Sequence, residues 1–129
     1  MSIDSSINLR NDIIFKAIFG YEKNEKLLIS LLNAILGLTG NKKIVSLTFL
    51  NAFNIKEYLK DKLTILDVKA VDGTGVRFDV EMQVAPDKSY LQRIMYYLDR
   101  LFTEQLKEGV PYDKLCKAIS ISILDFIFF

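Results

Sequence analysis

The sequence has no histidine and no tryptophan, one cysteine and two prolines in 129 residues. The absence of histidine excludes Ser-His-Asp and Cys-His catalysis and the common zinc sites. The lone Cys116 excludes an internal disulfide and fits a reducing compartment, and its position beside the apolar run "AISISIL" predicts a buried, inert thiol. Carboxylate and lysine chemistry therefore remain as the candidates for any catalysis.

Long hydrophobic runs and an excess charge of one sign are also missing. No apolar run reaches the roughly 20 residues that span a bilayer, and "MSIDSSINLRND" lacks the pattern of a signal peptide. We therefore expect a cytoplasmic protein with no membrane partner. Lys and Arg total 17 against 16 Asp and Glu, so any contact with DNA would need a local basic patch. Half of the residues are hydrophobic, which predicts one domain over residues 1–129 with its own core.

Three segments have the apolar spacing of helices. "NDIIFKAIFG" ends on Gly20, and "NEKLLISLLNAILGL" begins after the candidate N-cap Asn24 and ends at Gly37. Asp12 and Lys16 form an i, i+4 pair that we interpret as helix support. The third segment, "SYLQRIMYYLDRLFTEQLKEG", has an apolar stripe that predicts a core-facing side. The stripe consists of Leu91, Ile94, Met95, Leu98, Leu101, Phe102 and Leu106.

Four segments have the composition of strands. "KIVSLTFLN" is short and β-rich, and "LTILDVKAV" and "GVRFDVEMQV" flank "DGTG", whose Asp72 and Gly73 indicate a hairpin turn. "KAISISILDFIFF" predicts a final apolar strand, with Ala118 to Leu124 filling a typical strand length. The order of helix, strand, hairpin, helix and strand predicts an α+β domain.

The strand "VRFDVEMQV" has two chemically different faces. Its even-numbered residues are apolar, whereas the odd-numbered face carries Arg77, Asp79, Glu81 and Gln83. One interpretation is a strand whose polar face is in water. The other is a functional site on that face.

Asp67 and Glu81 lie on the two strands of the hairpin. If both project from the same face, the turn brings their carboxylates close together, although the sequence alone does not fix the register. Paired carboxylates repel unless a cation neutralises them, and oxygen ligands suit Mg²⁺. Acid pairs without histidine therefore favour magnesium, which can activate water and stabilise charge on a phosphodiester.

The combination of "ILDV…GVRFDVEMQ" with "NDIIFKAIFG" before it and "RIMYYLDRLFTEQLKEGVPYDKL" after it resembles the PD-(D/E)XK nuclease family transposases, the recombination-promoting nuclease group. The resemblance covers nearly the whole chain. It implies a restriction-endonuclease-like αβββαβ core, a central mixed sheet flanked by helices. It also implies a Mg²⁺-dependent DNA endonuclease, with Mn²⁺ as an alternative cation and DNA as the partner.

The resemblance also assigns residues of the hairpin. Asp67 matches the motif aspartate, Glu81 the acid of the next strand, and Gln83 the lysine position, where this group often carries glutamine. Gln83 can orient water or bind phosphate only by hydrogen bonding. Lys69 shares the face of Asp67 and could replace the lysine charge, or it could be a solvated strand lysine. Asp79 is either a further metal ligand or a solvent-facing acid.

The third helix also carries a polar stripe at i, i+4, i+7 and i+11, formed by Arg93, Tyr97, Arg100 and Glu104. Arg93 and Tyr97 match the family's "RxxYY" segment, and an arginine fork suits a phosphate. The stripe is therefore a candidate phosphate-binding surface, with a solvated helix face as the alternative.

The function expected from these features is hydrolysis of phosphodiester bonds in DNA recombination or mobile-element activity. The alternative is a catalytically inactive interaction module or a remnant of a mobile element, because family members extend past the last strand and we expect this chain to be C-terminally truncated. The apolar end with Ile127, Phe128 and Phe129 predicts association with a second copy, a homodimer, or aggregation.

Overall fold

A computed structural model describes residues 13–51, Lys56, Lys60, residues 67–83 and residues 88–124. The helices with described bounds are α1 (13–19), α2 (Glu25–Leu36) and α3 (Tyr90–Lys107), and Lys56 and Lys60 are also helical. Its strands are β1 (Leu47–Phe49), β2 (Asp67–Asp72), β3 (Arg77–Gln83) and β4 (Ala118–Leu124). Within these ranges, no helix combines the length and the apolar character that a membrane crossing requires.

The four strands form one mixed sheet in the order β1-β2-β3-β4. β1 and β3 are both antiparallel to β2, and β4 is parallel to β3. The parallel pair is joined through α3, since parallel neighbours need a crossover connection. This arrangement confirms the predicted α+β class and is consistent with a restriction-endonuclease-like core.

The first two helices each end at a glycine. A Cβ on Gly20 would lie 2.6 Å from the Lys16 carbonyl oxygen, to which the Gly20 amide donates a hydrogen bond of 2.7 Å. Gly37 has a φ of 63°, the left-handed conformation that commonly closes a helix. Asn24 precedes α2 as predicted, but its side chain donates to the Ile18 carbonyl (2.9 Å) instead of capping the helix. It thereby joins α1 to α2.

The β2-β3 turn is built differently from the prediction. The left-handed residue is Gly75, with a φ of 93°, and Gly73 has no positive φ. Asp72 closes the turn because its Oδ1 accepts from Thr74 N (2.8 Å), Thr74 Oγ1 (2.7 Å) and Val76 N (3.0 Å). A Cβ on Gly75 would lie 2.7 Å from the Cys116 sulfur, so a side chain there would also clash.

The apolar face of the sheet packs on α1 and α2 and forms the hydrophobic core. The fully buried Leu28 and Leu32 of α2 cover Val68 and Val80, and Phe15 comes from α1. Isoleucines of β4 extend the same layer at the side of the sheet. They are Ile119, Ile121 and Ile123, each partly buried.

Helix α3 covers the opposite face of the sheet, and the predicted apolar stripe is wrong in part. Leu101 is fully buried, but Leu91 and Met95 are 54% and 63% exposed. The side that faces the sheet carries polar groups instead, such as Gln105, which bonds the Cys116 amide (2.8 Å) and carbonyl (2.8 Å). The stripe failed because the underlying sheet face is polar, so α3 directs polar side chains towards it.

Candidate active site

Asp67 and Glu81 are direct cross-strand partners in the β2-β3 ladder. Leu50 N, directly after β1, donates a hydrogen bond of 2.8 Å to Lys69 O, so the main-chain groups of Lys69 point towards β1 and away from β3. Asp67 lies two residues earlier and has the same orientation, so it forms a non-hydrogen-bonded pair with Glu81. Side chains in such pairs approach closely, with Cβ atoms about 4.5–5.5 Å apart. The register therefore confirms that the two acids share one face of adjacent strands.

Asp79 is the most deeply buried acid of this face, at 3% exposure, and stands opposite Lys69. Its burial, together with a hydrogen bond and like charge from Asp67, raises the pKa of Asp79 to about 8, while the Lys69 charge acts in the opposite direction. Two carboxyl groups can share a hydrogen bond only if one holds a proton, and Asp79 is the group that keeps it. A solvated strand face, the simpler alternative, is thus wrong for Asp79.

Helix α3 supplies the upper wall of the site. Arg93 Nη2 donates to Gln83 Oε1 at 2.9 Å, so the glutamine in the lysine position holds an arginine. Burial raises the pKa of Tyr90, and Ser122 on β4 and Arg93 act in the opposite direction. Burial also raises the pKa of Tyr97, and Arg93 opposes the shift, while Glu81 and the two aspartates increase it. Arg93 and Tyr97 therefore reach the same polar face as the acids.

Two residues that were not predicted to belong to the site hold Asp67 from the other side, Asn51 and Lys16, the latter interpreted from the sequence as helix support. Asn51 Nδ2 donates to Asp67 Oδ1 (3.1 Å) and to its carbonyl oxygen (3.2 Å), and Asn51 Oδ1 accepts from Lys69 N (2.7 Å). Lys16 Nζ donates to the Asp67 carbonyl oxygen and to the Asn51 carbonyl oxygen (3.1 Å). Together they fix the start of β2.

Lys16 is 4% exposed and belongs to the site rather than to the surface of α1. Burial lowers its pKa to about 8, although Asp67 and Asp79 act to raise it. The signal was present in the sequence as a lysine inside the apolar run "IIFKAIF". Asp12, its predicted partner, lies outside the described residues.

The polar stripe of α3 divides into two parts. Arg93 and Tyr97 contribute to the site, whereas the Arg100 side chain is 54% exposed. Arg100 pairs with Glu104 at 3.7 Å and stacks over Tyr96 at 5.8 Å. Arg100 and Glu104 therefore form a surface ion pair at a distance from the acids.

The oxygen donors fit a small divalent cation. Asp79 Oδ1 is buried and has no hydrogen-bond partner within the described ranges, and Asp67 lies beside it with Glu81 opposite. No cluster of three or more His, Cys, Asp and Glu side chains suited to a metal occurs in those ranges. Mg²⁺ is commonly bound by one or two carboxylates and completed by water and phosphate. Asp67 and Glu81 are therefore the candidate ligands for that ion.

The profile of the PD-(D/E)XK nuclease family transposases matches residues 9–129, nearly the whole chain. The chain belongs to this family. No curated protein and no solved structure matches it. Membership in a PD-(D/E)XK family agrees with acids on neighbouring strands beneath a helix, and it gives the chain a nuclease-like character.

Proposed function

We propose that the chain is a Mg²⁺-dependent DNA endonuclease of the transposase type, acting in DNA recombination or mobile-element activity in the cytoplasm. The observation that carries the proposal is the register that sets Asp67 opposite Glu81, with the buried Asp79 beside them. Ionised acids at this spacing repel one another, and a bound cation would relieve that repulsion.

Asp67 and Glu81 would hold the cation, and Asp79 would join them as a further ligand on losing its proton. Bound Mg²⁺ supplies a Lewis acid and lowers the pKa of water near a phosphodiester. Mn²⁺ has a similar preference for carboxylate oxygens and would serve as an alternative. Asn51 and Lys16 orient Asp67 by bonding its carbonyl and carboxylate oxygens.

The substrate phosphate would be bound from the α3 side. Arg93 offers a planar fork of donors and is held by Gln83, so the glutamine acts by positioning a cation that it cannot itself provide. Lys69 adds a second positive charge on the sheet face, and Tyr97 closes the site above the acids. DNA contact is local in this arrangement, which suits a chain with a net charge of +1.

An inactive interaction module or mobile-element remnant is the second candidate, because Gln83 cannot supply the positive charge of a lysine. We also propose that the chain associates with a second copy of itself. From the sequence, we assign this association to the apolar residues Ile127, Phe128 and Phe129. These three residues lie outside the described residues.

A plasmid-cleavage assay separates the two candidates. The parent chain is expected to nick or linearise DNA in Mg²⁺ or Mn²⁺ and to be silent in EDTA. Glu81→Gln removes a ligand charge with little change of shape and should reduce the rate by about 100-fold or more. Asp99→Asn, an exposed change on α3, is the matched control and should leave the rate unchanged. Equal cleavage by the parent and Glu81→Gln would remove the proposed mechanism.

A further inference from the structure

The open edge of the sheet is formed by β4, whose described neighbour is β3 alone. All seven of its residues are partly exposed, and none is charged or proline. Natural proteins usually protect edge strands with such residues, since unpaired amides and carbonyls invite another strand. At the opposite edge, β1 has three residues and offers a much shorter template.

The main-chain groups of β4 alternate between β3 and the open edge. Arg77 N donates to Lys117 O at 3.1 Å, so odd-numbered residues of this segment bond β3. The even-numbered residues therefore direct their amides and carbonyls outwards. The outward-facing amides and carbonyls of Ser120 and Ser122 lie at the middle of the edge.

The central five residues of the strand form a palindrome, Ile-Ser-Ile-Ser-Ile, centred on Ile121. Two copies paired antiparallel about Ile121 would place Ser120 opposite Ser122, and both direct main-chain groups outwards. Isoleucines would then meet isoleucines on the core face, and serines would meet serines on the other. No like charges would face each other, which is the condition for a self-complementary, two-fold interface.

Helix α3, which packs on β3 and β4, carries an apolar stripe on its exposed surface. Leu91, Met95, Leu98 and Phe102 form an exposed or partly exposed stripe at i, i+4, i+7 and i+11. Met95 is two positions from both Arg93 and Tyr97, which reach towards the acids of β2 and β3, and residues two apart lie on nearly opposite sides of a helix. The apolar stripe therefore turns away from the acids of β2 and β3.

We infer that β4 pairs with β4 of a second copy about Ile121, giving one sheet of eight strands, four from each copy, with the two α3 stripes packed across the two-fold axis. The axis is normal to the sheet, so both α3 helices lie on the same face and turn their apolar flanks towards each other. Burial of these flanks adds the hydrophobic area that strand pairing alone lacks. The inference rests on the proposed self-association and not on the nuclease chemistry.

Disulfide trapping tests the register. In a Cys116→Ser background, Ile121→Cys places two thiols directly opposite at the axis, within the Cα separation of about 4.4–6.8 Å that a disulfide needs. Ile119→Cys is the matched control, because the two Cys residues would be offset by roughly 13 Å along the strands. Oxidation should give covalent dimers of the first variant and not of the second. Equal cross-linking, or none in either variant, would overturn the inference.

Sedimentation velocity from about 1 to 200 µM tests the helix flank in the otherwise unchanged chain. Met95→Lys should weaken dimerisation by about tenfold or more, because it buries a charge between the stripes, and Thr103→Lys on another exposed side of α3 should change it by less than about twofold. Both sites are exposed, so both variants should fold, as melting curves would verify. A parent that stays monomeric, or equal effects of the two lysines, would contradict the proposed interface. These readouts need no DNA, so a failed cleavage assay would leave them unaffected.

Discussion

The two faces of strand β3 are both buried, but different forces hold them. Phe78 and Val80 pack on α2, where burial of apolar area stabilises the fold. Asp79 and Arg77, on the other face, are 3% and 8% exposed beneath α3. Buried charge is costly unless it is paired, and a well-packed apolar layer would often be at least as stable. The apolar face is held by packing, whereas the polar face is held by the ion pair of Arg77 with Glu108 and by the raised pKa that keeps a proton on Asp79.

The largest effect should come from breaking the apolar face. Leu32→Ala removes a fully buried side chain from α2 and should lower the free energy of unfolding by about 2–5 kcal/mol, through lost transfer energy and a residual cavity. Urea denaturation measures the change as a lower midpoint at similar slope.

Two variants calibrate that result. Ile35→Ala, on the same helix but 45% exposed, should cost much less. Glu81→Gln in EDTA should leave stability nearly unchanged or raise it, because it removes like charge from the acid cluster. A loss for Glu81→Gln as large as that for Leu32→Ala would mean that both faces serve stability alike.

The sequence predicted the elements and the polar face better than it predicted what covers that face. Strand alternation and helix spacing are local, so the hairpin, the limits of β4 and the shared face of Asp67 and Glu81 followed from them. The packing side of α3 depends on the sheet face beneath it, which no local pattern specifies. Asn51 and Lys16 reach Asp67 across sequence separations of 16 and 51 residues, so spacing could not connect them.

A smaller effect is expected from metal addition, which sharpens the comparison by acting on the polar face alone. A ligand that binds only the folded chain stabilises it by mass action, by about 2.7 kcal/mol at 100 times its Kd. Millimolar Mg²⁺ or Ca²⁺ should therefore raise the Tm of the parent, and Glu81→Ala should abolish the shift. Leu32→Ala should retain the shift although its baseline Tm is lower. An unchanged Tm of the parent in Mg²⁺ would favour the interaction-module alternative.

We expect pH to change the free energy of unfolding of the metal-free chain by a still smaller amount per pH unit. This dependence arises because Asp79 and Lys16 are buried at the polar face. The pKa of Asp79 is raised from 3.8 to about 8 in the fold, so between these values the unfolded chain releases a proton that the folded chain retains. Stability therefore falls as pH rises through that window, by at most about 1.4 kcal/mol per unit for one proton. Lys16 acts above it: its pKa is lowered from 10.5 to about 8, so the folded lysine deprotonates first and stability rises with pH from about 8 to 10.5.

Urea melts in EDTA at pH 5, 6, 7 and 8 would measure the contribution of Asp79, because the ionisations of other groups largely cancel between the parent and a single variant. Asp79→Asn cannot ionise, so its stability relative to the parent should increase with pH across this series. Asp99→Asn removes the same formal charge from an exposed position of α3 and should run parallel to the parent. If Asp79→Asn also runs parallel, the buried carboxyl does not carry the proton in this window. Either Asp67 would then hold the shared proton, or Lys16, Lys69 and Arg93 would have to compensate an ionised pair.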